Sequence, residues 1–209
     1  MKRFSAVFVV ATAALATGAC LASRTSQVLY LSPSGAVTWT VHDRDVHSDA
    51  PERSQRTQEE AEFLRGIQHR THAPLLALEA LGGRNLTCEL VRVERPWDAV
   101  TTAQFDSIDG LFNALLRELG VEGRASLTAT GGLTTLLVEW TEDDPGNEES
   151  PALELIEVFD AGRVVLTEGR FVAAEGFVIS PDGREATLVE RTPSSHRSVS
   201  LTWALEREG

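Results

Sequence analysis

Ser32-Pro33-Ser34-Gly35-Ala36-Val37-Thr38-Trp39-Thr40-Val41-His42 is a turn followed by a strand, and its reading decides the fold. Proline and glycine within four residues mark the turn. Val37, Trp39 and Val41 then alternate with Thr38, Thr40 and His42. A period of two sends one set of side chains to a core and the other toward water. Val28 to Leu31 form the preceding arm, so the stretch from Val28 to Val46 reads as a β-hairpin.

The same grammar recurs downstream. Arg84 to Glu94 reads as a strand ended by Pro96, and Ala125–Thr130 and Leu133–Thr141 as two strands joined by Gly131-Gly132. Arg163 to Thr167 leads to Arg170–Ile179, which turns through Ser180-Pro181-Asp182-Gly183 into Arg184–Arg191. A last strand alternates Val199, Leu201, Trp203 and Leu205 with polar or small residues. Helices fall between these strand groups. The clearest is Ser107–Leu119, where Ile108, Leu111, Phe112, Leu115, Leu116 and Leu119 make one apolar stripe. Asp106 or Ser107 can cap its start and Gly120 its end.

Weaker helical patterns run from Ser54 to Gln68, with Ala61, Leu64 and Ile67 inward and Phe63 beside them, and from Leu75 to Leu81 behind Pro74. A short helix is expected after Ser150-Pro151, with Leu153, Ile156 and Phe159 inward. The expected fold is α+β, an antiparallel sheet built from hairpins with two to four helices packed on one face.

The N-terminus speaks to location. Lys2 and Arg3 precede an apolar run from Phe4 to Ala16, then Thr17-Gly18-Ala19-Cys20. A spanning helix needs roughly twenty apolar residues, so this shorter run is an export signal and stands outside the fold. Small residues before a cysteine make residues 1–20 resemble the signal of bacterial lipoproteins. That resemblance implies a diacylglyceryl group on the Cys20 sulfur, further acylation with fatty chains such as palmitate, and cleavage just before Cys20. By analogy with lipoprotein sorting, Leu21 and Ala22 in place of Asp favour the outer membrane. Cutting after Ala19 or Ala22 by an ordinary signal peptidase would instead give a free periplasmic or secreted protein. The expected organisation is a signal over 1–19, a lipidated Cys20 and polar tether over 20–27, and one α+β domain over 28–209.

Composition narrows the partners. With 31 acidic and 19 basic residues the chain carries a net charge of −12, and losing Lys2 and Arg3 makes the mature part more negative by two. Such a surface disfavours nucleic acid and bare anionic lipid. The expected partners are a membrane, through the anchor, and an unidentified protein or small molecule. Of the two cysteines, Cys88 alternates with Leu86 and Leu90 and reads as a small buried core residue. Were Cys20 retained without acylation, it could form a disulfide with Cys88.

Candidates for chemistry are few. His42, Asp43, Asp45, His47 and Asp49 are crowded into eight residues, and His69 and His72 follow; imidazole and carboxylate are zinc ligands. In a plain strand His42 and His47, five apart, point to opposite faces, and no HExxH spacing is present. Glu142, Asp143, Asp144, Glu148 and Glu149 lack the alternation and central glycine of a calcium loop and read as a solvated connector. Ser194, Ser195 and His196 are neighbours in a polar turn, not a triad. There is no GxSxG elbow and no phosphate-cradling glycine loop. Trp39 and Trp203 read as core; Trp97, after Pro96 in an expected loop, is the aromatic placed to meet a partner.

No catalytic, metal or cofactor set emerges. The reading is a lipid-anchored envelope protein with a non-catalytic binding or accessory domain. Its rival is a metal-dependent or hydrolytic periplasmic enzyme using His42 and His47 with nearby carboxylates.

Overall fold

The computed structural model describes residues 21–141, 162–188 and 196–205. The chain divides into two compact units, one holding residues 40–103 with the N-terminal part up to Gln27, the other holding Val28–Trp39 and everything from Gln104 onward. The hairpin of β1 (Leu21–Leu31) and β2 (Val37–Ser48) contributes its ends to the first unit and its turn to the second.

In the first unit the strands lie in the order β3-β4-β2-β1, with β3 Arg84–Arg92 and β4 Trp97–Phe105. Helices α1 (Arg53–Gln68) and α2 (Ala73–Ala80) complete it. Residues 21–27, read as a tether, are strand: Thr25 and Gln27 find partners there, and Gln27 is buried. Helix α1 turns Phe63 and Ile67 inward onto Val46 of β2 and Ala99 of β4, with Leu21, Leu64, Cys88, Leu90 and Trp97 around them. Of the residues expected inward, Phe63 and Ile67 are buried and Ala61 and Leu64 are half-buried. Glu59 is also buried, one turn before Phe63, because Ser48 Oγ and the Gln55 amide donate to its carboxylate.

The second unit contains two sheets rather than one. The first carries the outer part of β1, then β7 (Gly162–Leu166), β10 (Glu185–Leu188) and β9 (Phe177–Ile179). The second has the order β5-β6-β11-β8, with β5 Gly123–Thr130, β6 Leu133–Thr141, β11 His196–Ala204 and β8 Arg170–Glu175. The stretch from Arg170 to Ile179, expected as a single strand, is therefore two strands in different sheets. Gly176, at φ 81°, is the break between them. Helix α3 (Ile108–Leu119) behaves as its stripe requires: Ser107 Oγ accepts the Gly110 N–H, Gly120 ends the helix at φ 70°, and Ile108, Leu111, Phe112, Leu115 and Leu116 are buried.

The molecule is α+β, with more strand than the sequence implied. The acidic connector and the helix expected after Ser150 lie outside the described residues.

Candidate functional site

The crowded segment of β2 comes first. Asp45 sits at φ 55°. Before it Val41 and Asp43 are buried; after it Val46 and Ser48 are. The left-handed residue shifts the inward set by one, so His42 and His47 fall on the same side of the strand after all. The carboxylates beside them are already committed. Asp43 accepts from Thr25 Oγ1 at 2.8 Å and lies 3.0 Å from His72 Nε2. Asp45 lies 3.3 Å from the Arg92 guanidinium. Asp98 accepts the Asp45 N–H at 2.8 Å and pairs with Arg92 at 2.7 Å. His47 Nδ1 lies 2.6 Å from the Asp45 carbonyl oxygen. Among the described residues no group of three or more His, Cys, Asp or Glu could hold a metal ion. His42, Asp43, Asp45 and His47 are thus not assembled into a ligand set. Asp49 and His69 stand exposed.

Thr25, Asp43 and His72 superficially suggest a triad, but the order is wrong. A hydroxyl nucleophile needs the imidazole as its base, with the carboxylate behind the imidazole. Here the hydroxyl and the imidazole both face the carboxylate. The arrangement ties β1, β2 and the residue that precedes α2 together.

Cys88 is a free, half-buried thiol on β3. Burial pushes its pKa up, against a lesser pull downward from the Thr101 hydroxyl, which donates to Sγ at 3.3 Å. A thiol so placed is no activated nucleophile. Trp97 opens β4 instead of standing in a loop. It is half-buried, its ring 6.5 Å from that of Phe63. Trp39, Trp140 and Trp203 are buried core residues. Cys20, the acidic connector, Ser194 and Ser195 lie outside the described residues; His196 begins β11, in register with Thr141.

The second unit holds a feature the sequence did not announce. Gly131 and Gly132, at φ 63° and 82°, close the β5–β6 hairpin as a two-residue loop of the kind that needs positive φ at both positions. Beside this turn a cleft of about 590 Å³ is lined by Leu133, Arg170, Val172, Ala204 and Leu205. A smaller one of about 270 Å³ shares the turn and reaches Pro33 and Trp203. Leu133, Val172 and Leu205 are large exposed apolar side chains, and Trp203 is fixed below by its indole N–H donating to the Pro33 carbonyl at 3.1 Å. The lining offers apolar surface and one guanidinium, without an acid–base pair. Polar and apolar surface are about equally exposed in it, so it suits contact with a group that is itself mixed. Its residues come from three strands distant in sequence, so only the Gly-Gly turn was a signal.

No family model matches the chain, and no curated protein matches it. A solved structure that resembles it is the NMR structure of the folded domain of the LppM protein of Mycobacterium tuberculosis, at 11% identity and a TM-score of 0.37, covering 89% of this chain and 91% of that one.

Proposed function

We propose that this chain is a lipid-anchored protein of the bacterial envelope, held through Cys20, whose folded part binds or supports a partner without catalysis. The observation that carries this reading is the sequence Gly18-Ala19-Cys20 behind a short apolar run. Two or three acyl chains, at about 0.8 kcal/mol per buried methylene, make such an anchor effectively permanent. Among the described residues no helix is long and apolar enough to cross a membrane. The exposed apolar rim of Leu133, Val172 and Leu205 supports a binding role, and Leu21-Ala22 after the cysteine supports the outer membrane as the site. The test is Cys20→Ser expressed in a bacterial host. The parent chain should sediment with membranes and extract into detergent, and the variant should become soluble. Unchanged membrane partitioning of the variant would contradict the anchor.

A further inference from the structure

We propose that the first unit stands on the bilayer on a defined end, formed by the start of β1 and the turn between β3 and β4, with Val91 and Val93 in the lipid interface. This rests on the anchored reading of Cys20 and goes beyond it by naming the surface that meets the membrane.

The starting point is covalent. Neighbouring Cα atoms are about 3.8 Å apart, so an acylated Cys20 holds Leu21 within a few ångströms of the headgroups. Leu21 is not a free leader. It is the first residue of β1 and packs on the cluster containing Phe63, Leu90 and Trp97. An anchor with no slack fixes which end of the unit faces the membrane.

The neighbours of Leu21 fit that position. Arg24 reaches Asp45 at 4.0 Å, and Arg92, at the end of β3, bridges Asp45 and Asp98. These contacts bring the beginning of β1 beside the β3–β4 turn. From β3 and its turn, Val91 and Val93 project with 63% and 76% of their surface exposed, among the most exposed large apolar residues described. Val91 lies on the face of β3 opposite Leu86, Cys88 and Leu90, and Val93 is the first residue beyond the end of the strand. Two exposed valines at and just past a strand end are a costly surface in water and a suitable one in an interface.

Charge agrees. The chain as a whole is strongly acidic, which opposes approach to an anionic leaflet. At this end, however, Arg24, Arg92 and Arg95 are matched by Asp45, Asp98 and Glu60, the last pair at 2.7 Å. These pairs cancel one another, which leaves the exposed Glu94 of the turn beside two exposed valines, and the occupant this end fits is the uncharged or zwitterionic bilayer surface holding the anchor.

The experiment uses the full acylated chain, Cys88→Ser, with a single thiol introduced at Val93→Cys or Arg84→Cys and labelled with a fluorophore. Arg84 begins β3, about 30 Å from Val93 along an extended strand. The chain is reconstituted into phosphatidylcholine vesicles containing nitroxide-labelled lipid. Quenching at position 93 should exceed that at position 84 by roughly threefold or more, as expected for a group at headgroup depth. Equal quenching at the two positions, with the acyl chains present by mass, would overturn the orientation and leave the anchor standing. Absence of acyl groups would overturn both. Amide hydrogen exchange on the unsubstituted acylated chain guards against a misfolded variant: residues 91–95 should exchange more slowly on vesicles than in soluble Cys20→Ser, and no difference there would again overturn the orientation.

Discussion

Asp43 and His72, twenty-nine positions apart, meet in the first unit with Oδ2 3.0 Å from Nε2, each side chain only 11% exposed. The same carboxylate takes the Thr25 hydroxyl at 2.8 Å. A β1 residue, a β2 residue and the residue ahead of α2 are thus joined at one carboxylate, which makes Asp43 a structural centre.

Removing that buried carboxylate leaves a half-buried hydroxyl and imidazole without their partner, and breaking a largely desolvated pair from one side is destabilising. Asp43→Ala should lower the stability of the chain by about 3 kcal/mol in urea unfolding followed by fluorescence. Asp43→Asn, which keeps an acceptor for Thr25, should lose less. A loss for Asp43→Ala within the error of surface substitutions would show that the pair carries no weight.

A second tie lies in the other unit. The Asn113 side chain, on α3, accepts the Ala125 N–H at 2.9 Å and donates to the Ala125 carbonyl at 2.9 Å, locking α3 to the start of β5. Asn113→Leu deletes both bonds and leaves a backbone donor and acceptor unpaired. The expected loss is about 1–3 kcal/mol, read as a shift of the denaturant midpoint with an unchanged slope.

Two glycines that look alike in sequence should respond differently to alanine. At Gly120, φ is +70° and an added Cβ meets nothing within 4 Å, so Gly120→Ala carries only the left-handed backbone penalty of about 1 kcal/mol. At Gly123 an added Cβ would run into the Glu139 carbonyl oxygen and the Trp140 backbone. Gly123→Ala forces β5 from β6 and should cost about 2 kcal/mol or more. Thermal unfolding of the two variants side by side tests the ranking, and the reverse order would contradict this packing.

Cys88 gives a pH signature. Burial raises its folded pKa above the ordinary thiol value of 9.0. The native state therefore holds its proton where the unfolded chain has begun to release it. The Cys88 contribution is intact below the ordinary thiol value and is lost as pH rises through the higher folded value. Alkylation of the native thiol should be slow at neutral pH and accelerate only in strongly alkaline buffer, and Cys88→Ser should flatten the alkaline fall in stability. Rapid alkylation at neutral pH would mean an activated thiolate that this strand does not provide.

Much of the architecture was legible because period and punctuation agree. The α3 stripe, the Gly131-Gly132 hairpin and the Val199–Trp203 alternation name their elements through local chemistry alone. What escaped depends on long-range partners or on single φ angles. Gly176 divides one apparent strand between two sheets, and a left-handed Asp45 moves His42 and His47 to a common side. Glu59 is buried although it is a carboxylate, because Ser48 and Gln55 meet it. Trp97 follows Pro96 as a loop aromatic would, yet it opens β4 and packs on Phe63. The cleft beside Gly131 could not be read at all, since Leu133, Arg170 and Leu205 converge only through strand order. The proposed N-terminal signal is the reverse case, an address read from the sequence alone.

Intact-mass analysis of the mature protein purified from membranes decides whether Cys20 is acylated. The expected product is a chain beginning at Cys20 that carries a diacylglyceryl group, with or without a further amide-linked acyl chain. An unmodified chain beginning at Cys20 or Ser23 would contradict it.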